Sequence, residues 1–136
     1  MKIKKEKLNL AGSNAITYWI DNGTDIPGKA QLIFKQVNQD EFSNQNYELL
    51  KQIGFENKII GYFESLYPYG YLHQKEYVSG KKGLGKIVID EMIKDSVEND
   101  VNIIFGFDSI IGDFLVKNNF KQLCKKNNSY YLIISS

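Results

Sequence analysis

The chain has 136 residues, 43% of them hydrophobic and 24% charged, with 11 glycines and 2 prolines. That composition predicts an ordinary globular protein with one domain over residues 1–136, because single cores run to roughly 100–200 residues. Seventeen basic residues against sixteen acidic ones give a net charge of +1 with the signs interspersed, which argues against the basic face that nucleic-acid binding requires.

Residues 2–10 and 15–21 alternate loosely around the turn-prone Ala11-Gly12-Ser13-Asn14 and predict a hairpin. Residues 22–28 (NGTDIPG) read as a loop and 30–37 (AQLIFKQV) as a strand. The polar stretch 40–46 reads as a loop or a helix start. Residues 47–55 and 58–66 flank Glu56-Asn57 and predict a second hairpin, with a helix over 47–53 as the alternative. Tyr67-Pro68-Tyr69-Gly70 makes a turn, and 71–79 another strand.

The second half changes period. Leu84, Val88 and Met92, then Ile89, Ile93 and Val97, cover a broad arc of a helix over 83–99. Asp90, Glu91, Lys94 and Glu98 take the opposite face, Asp90 and Lys94 at the spacing that supports a helical ion pair. Residues 101–107 (VNIIFGF) are nearly continuous apolar sequence, as expected of a parallel strand buried on both faces. Strand 71–79, a glycine-rich loop, helix 83–99 and strand 101–107 therefore predict a β-α-β unit with a right-handed crossover. Asp108 is the N-cap of a second helix, with Ile110, Ile111, Phe114 and Leu115 facing inward and Asn118-Asn119 ending it. Residues 120–124 and 130–134 form a terminal strand pair around 125–129.

The loop Gly80-Lys81-Lys82-Gly83-Leu84-Gly85-Lys86 is the place to look for function. Glycines entering a helix N-terminus leave free backbone N–H groups and the positive end of the helix dipole, a ready anion site. All the basic residues are lysine, so an anion is held by backbone N–H groups and by Lys81, Lys82 and Lys86, without guanidinium forks. The competing reading is a tight strand-to-helix turn with solvated lysines. The dinucleotide-binding GxGxxG fails, since Val88 stands where the third glycine belongs. The nucleotide-binding GxxxxGK[ST] matches Gly80, Gly85 and Lys86, but Ile87 replaces the metal-binding hydroxyl.

A third pattern, [RQ]xxGx[GA], is matched by Gly83 and Gly85, with Gly80 in the leading position. It belongs to the GNAT acetyltransferases, and the resemblance extends beyond the loop. Ile59-Ile60-Gly61-Tyr62-Phe63 resembles that family's third strand, and 71–79 its fourth, which splays from the fifth to leave a V-shaped gap for acetyl-coenzyme A. DSIIGDFLVKNNF, from Asp108 to Phe120, is similar to the family's N-x-x-A-x-x-F-Y-x-K-x-G-F segment, with Phe114, Lys117 and Phe120 matching outright. The resemblance covers residues 58–134. It implies an α/β (α+β) fold: a mixed, mostly antiparallel twisted sheet with a central β-α-β cofactor-binding unit and a strand-rich N-terminal half.

By the same resemblance, the backbone of Tyr77, Val78 and Ser79 pairs with the pantetheine arm. Gly80, Lys81, Lys82, Gly83, Leu84, Gly85 and Lys86 hold the pyrophosphate, and Asp108, Phe114 and Lys117 complete the cofactor site. The implied activity is transfer of an acetyl group from acetyl-coenzyme A to an amine, on a small molecule or a protein, with no metal. A base comes from His73 or Glu76, which alternate to opposite faces of their strand; His73 suits neutral pH. Leu115 stands where many members carry a tyrosine acid, so Tyr130, Tyr131 or water protonates the thiolate, or the chain is a non-catalytic binding or regulatory module. Tyr62, Tyr67, Tyr69 and Tyr71 cluster around these strands as acceptor-pocket walls or strand packing. A single cysteine, Cys124, excludes an internal disulfide and fits a reducing compartment. No apolar stretch follows the charged N-terminus and none reaches membrane-spanning length. The expected protein is a cytoplasmic monomer or homodimer.

Overall fold

The computed structural model describes residues 2–21, 28–65, 84–107 and 112–134. Strands β1 (Lys2–Leu10) and β2 (Ser13–Asp21) pair antiparallel with Leu10 opposite Ser13. Ala11 and Gly12 alone make the turn, at φ of 50° and 90°. Positive φ at both central residues matches the twist of the strands they join, and Asn9 Oδ1 accepts from the Gly12 N–H at 2.9 Å. β3 (Gly28–Gln36) adds on antiparallel.

The next segment corrects the expected second hairpin. Residues 44–52 form a helix, α1 (Asn44–Gln52), rather than the first strand of a pair. Ser43 caps it by accepting from the Asn46 N–H, and Tyr47 and Leu50 point one apolar stripe at the sheet. Phe55 N–H closes the C-terminus onto Leu50 O at 3.0 Å. A serine cap and a three-residue apolar spacing select helix where composition alone allows either form.

β4 (Ile59–Ser65), α2 (Leu84–Glu98), β5 (Ile103–Phe107), α3 (Gly112–Lys117), β6 (Lys121–Cys124) and β7 (Ser129–Ile133) follow among the described residues. The seven strands among the described residues form one sheet in the order β1-β2-β3-β4-β5-β7-β6. Every neighbouring pair is antiparallel except β4 and β5, which run parallel. Among the described residues α2 stands in the chain between the parallel strands β4 and β5, and β5 is buried on both faces as its nearly continuous apolar sequence requires.

Alternation along β5 divides the core between the two sheet faces. Ile104 packs with Val88, Ile89 and Met92 of α2 and Leu115 of α3. Ile103 and Phe105 pack with Tyr47 and Leu50 of α1. The result is a sheet covered by α2 and α3 on one side and by α1 on the other.

Candidate functional site

The β4–β5 ladder comprises two residue pairs, Gly61 with Ile104 and Tyr62 with Phe105. β4 continues through Phe63, Glu64 and Ser65, still paired to β3, while β5 continues through Gly106 and Phe107, still paired to β7. Among the described residues the two strands beyond these pairs hold their outer neighbours but not one another, which leaves a split in the ladder.

Both glycines beside the split are there for room. A Cβ on Gly106 would lie 2.4 Å from Phe63 Cε1, because the Phe63 ring lies across that residue. A Cβ on Gly61 would come within 3.0 Å of Leu32 Cδ1 and 3.5 Å of the Ser96 hydroxyl of α2. Phe63 also meets Phe120 edge-on at 5.7 Å between centroids, which closes the α2 side of the split with aromatic rings.

The α1 side is open. Tyr62, Phe42 and Phe105 form an aromatic trio with centroids 6.2–6.3 Å apart. Lys35 Nζ lies over two of these rings, 5.3 Å from the Tyr62 centroid and 5.8 Å from the Phe42 centroid. A cavity of about 290 Å³ adjoins them, lined by Lys35, Glu41, Phe42, Ser43, Asn46, Tyr62 and Glu64. Burial, helped by the Glu64 charge, pushes the Tyr62 phenol up to about 12, so it stays protonated and hydrogen-bond-donating at neutral pH. Glu64, two residues along β4, shares the face of Tyr62. A second cavity, about 340 Å³ and lined by Gly12, Asn38, Ile59 and Asn99 among others, lies where β4 starts and α2 ends, away from the split.

Facing α2, a charged network ties the helix to β1 and β2. Tyr18 donates to Asp95 Oδ2 at 2.7 Å, and Lys5 Nζ reaches Asp95 Oδ1 at 3.2 Å and Glu91 Oε2 at 2.6 Å. Burial first, then the Asp95 hydrogen bond, raises the Tyr18 phenol far above its ordinary range. Burial pulls the Lys5 ammonium down, but the Glu91 and Asp95 carboxylates outweigh it and the net shift is upward. The Asp95 side chain is only 7% exposed, so the charge is tolerable there only with such partners.

The residues expected to carry function fall unevenly. His73, Glu76, Tyr77, Val78, Ser79, Gly80, Lys81, Lys82, Gly83 and Asp108 lie outside the described residues, as does the strand expected over 71–79. Leu84 and Gly85 open α2. Lys86 is exposed and holds Asp90 at 2.9 Å. Phe114 falls within α3, and Lys117, in its last turn, is exposed. Tyr130 is buried on the α2 side, its hydroxyl 3.4 Å from Gln122 Nε2. Leu115 is wholly buried in the same cluster. Gly61 and Tyr62 of β4 pair directly with β5. Lys35, Phe42 and Glu64 were not singled out by sequence. The one local signal was the alternation Ile60, Tyr62, Glu64, which puts an acid on the aromatic face.

Among the described residues no three His, Cys, Asp or Glu side chains gather to hold a metal ion, and no helix is long and apolar enough to cross a membrane. Compared with family models, curated proteins and solved structures, the chain matches none.

Proposed function

We propose that the chain is a GNAT-like N-acetyltransferase that moves an acetyl group from acetyl-coenzyme A to an amine. The observation that carries this reading is the parallel β4–β5 pair that stops after two residue pairs, with the glycine-rich sequence and α2 following β4 in the chain. An extended pantetheine arm fits such a split as a short extra strand, on backbone groups of β4 and β5 that lack each other as partners. The diphosphate then falls to the glycine- and lysine-rich sequence ahead of α2, by the affinity of helix N-termini for anions.

A smaller point supports the same resemblance. In N-x-x-A-x-x-F-Y-x-K-x-G-F the glycine position is Asn119 here, and Asn119 adopts φ of 73°. That conformation favours glycine first and asparagine next.

On this reading Glu64 is the base. It is the carboxylate on the α1 face of the strand that flanks the split, and it lines the cavity where an acceptor amine meets the thioester. His73 and Glu76, the bases expected from the sequence, lie outside the described residues. General-base removal of the amine proton is worth about 10²–10⁴ in rate.

The second reading, a binding or regulatory module without turnover, rests on Leu115. The family's acid position holds an aliphatic side chain sealed in the core, which donates no proton to a departing thiolate. Titration calorimetry with acetyl-coenzyme A, followed by a thiol-release assay over a panel of primary amines, separates the two. Binding with turnover supports the transferase, and binding without turnover supports the module. If acetyl-coenzyme A does not bind, both fall.

A further inference from the structure

We propose that the cavity beside Tyr62 is a binding site for a basic amino acid, a ligand with one carboxylate and two ammonium groups: Lys35 meets the carboxylate, and Glu41 and Glu64 meet the two cations. The inference stands on the charges of the cavity itself and holds whether or not the chain turns over acetyl-coenzyme A.

One ammonium and two carboxylates line this cavity. Among the described residues the ion pairs join Lys5 to Glu91 and Asp95, Lys51 to Glu56 and Lys86 to Asp90, so Lys35, Glu41 and Glu64 have no oppositely charged partner there. The sheet register explains why Lys35 and Glu64 do not cancel one another. Lys35 stands opposite Ile60, and Glu64 lies four residues further along β4, about 13 Å away at the rise of a β-strand. Tyr62 falls midway, and its ring and that of Phe42 line the space between. Glu41 belongs to the Lys35 end, because it also lines the neighbouring cavity with Gln36 and Ile59, the next pair of the β3–β4 ladder.

A simple anion would face two carboxylates here, and a simple cation would face the Lys35 ammonium that the rings hold. Matching every charge takes a carboxylate and an ammonium at one end and a second ammonium beyond an apolar spacer. An amino acid with an aliphatic basic side chain has that layout. Its α-carboxylate and α-ammonium meet Lys35 and Glu41, its methylenes cross the Tyr62 and Phe42 rings, and its terminal ammonium meets Glu64. Lys35, Tyr62 and Glu64 are half-buried, where salt screens charges less than on open surface. The volume agrees. A cavity of about 290 Å³ holds roughly ten non-hydrogen atoms at the share of liquid volume that a water takes, which is the size of lysine.

The test is titration calorimetry of the full chain, without coenzyme A, against lysine and three relatives that each lack one charge. Norleucine lacks the terminal ammonium, ε-aminocaproate the α-ammonium and cadaverine the carboxylate. Lysine should bind tightest, with each relative weaker by about tenfold, the scale of one charge-assisted contact. Lys35→Met should bring lysine and cadaverine to equal affinity, Glu64→Gln lysine and norleucine, and Glu41→Gln lysine and ε-aminocaproate. Urea midpoints show that each variant is folded, and the ligand series on the parent chain needs no variant at all. Lysine that fails to saturate the chain, or binds no tighter than norleucine and cadaverine, overturns the inference. A preference for lysine that survives unchanged in folded Lys35→Met and Glu64→Gln overturns it as well. Coenzyme A is absent throughout, so neither result bears on the acetyltransferase reading.

Discussion

On the α2 side of the sheet a buried carboxylate, Asp95, is held by the Tyr18 hydroxyl and the Lys5 ammonium. On the α1 side a cation, Lys35, rests on two aromatic rings at the edge of a cavity. The two arrangements solve different problems. Asp95 is cut off from water, so its charge needs strong, fixed hydrogen bonds, and it joins α2 to the first hairpin. Lys35 keeps its access to the cavity, and the ring faces hold its ammonium by electrostatic attraction. A sealed charge organises a fold, whereas a half-open one remains available for chemistry.

That contrast is broken most severely at Asp95. Asp95→Ala leaves the buried Tyr18 hydroxyl without its acceptor and Lys5 with Glu91 alone. The expected loss is about 3 kcal/mol, since removing one partner of a buried charged hydrogen bond strands the other. Urea unfolding of the variant checks it, and a loss below about 0.5 kcal/mol would place the pair on the same footing as a surface ion pair.

Gly106→Ala tests the closed side of the split. The added methyl would meet the Phe63 ring at 2.4 Å, so the ring has to move, at a cost of about 2 kcal/mol. Coenzyme A affinity should fall in parallel if the split is the pantetheine site. Unchanged stability would mean that the ring swings away freely.

Alkaline pH sharpens the comparison. The folded-state pKa of Tyr18 is raised, so the folded chain keeps a proton that the unfolded chain releases near pH 10. The stabilisation is complete below about pH 10 and declines as pH rises above it. Lys5, also raised, acts in the same direction. Tyr62, pushed up to about 12 on the other face, adds a smaller share. Urea midpoints measured from pH 8 to pH 11 should fall at the alkaline end, and less steeply in Tyr18→Phe. An equal slope in that variant would remove Tyr18 from the account.

The smallest effect belongs to Lys35. Lys35→Ala removes a cation–π contact worth about 0.5–1 kcal/mol at a partly exposed site. It should leave the fold intact, with a urea midpoint close to that of the parent chain. A loss comparable to that of Asp95→Ala would recast Lys35 as a structural residue.

Much of this architecture could be read locally. Ala11-Gly12 between alternating segments specified the first hairpin, and the 3.6-residue recurrence of Val88, Ile89 and Met92 specified α2. The nearly continuous apolar run at 101–107 announced a strand buried on both faces. Residues 47–53 were legible only as a choice, because YELLKQI suits a strand or a helix by composition. The choice was settled by the Ser43 cap and by the need of Tyr47 and Leu50 to face one sheet surface.

Local pattern specifies period, turns and caps because these depend on residues within a few positions of one another. It is silent on which strand lies beside which. Gly61 pairs with Ile104 and Tyr62 with Phe105 across more than forty positions, so the place of β4 next to β5 is a tertiary property. The same holds for the cavity that Lys35, Phe42 and Glu64 line together. Those three residues come from β3, the turn before α1 and β4. Their proximity follows from strand order and helix coverage, which arise from burial of the whole apolar surface at once and have no counterpart in any single stretch of sequence.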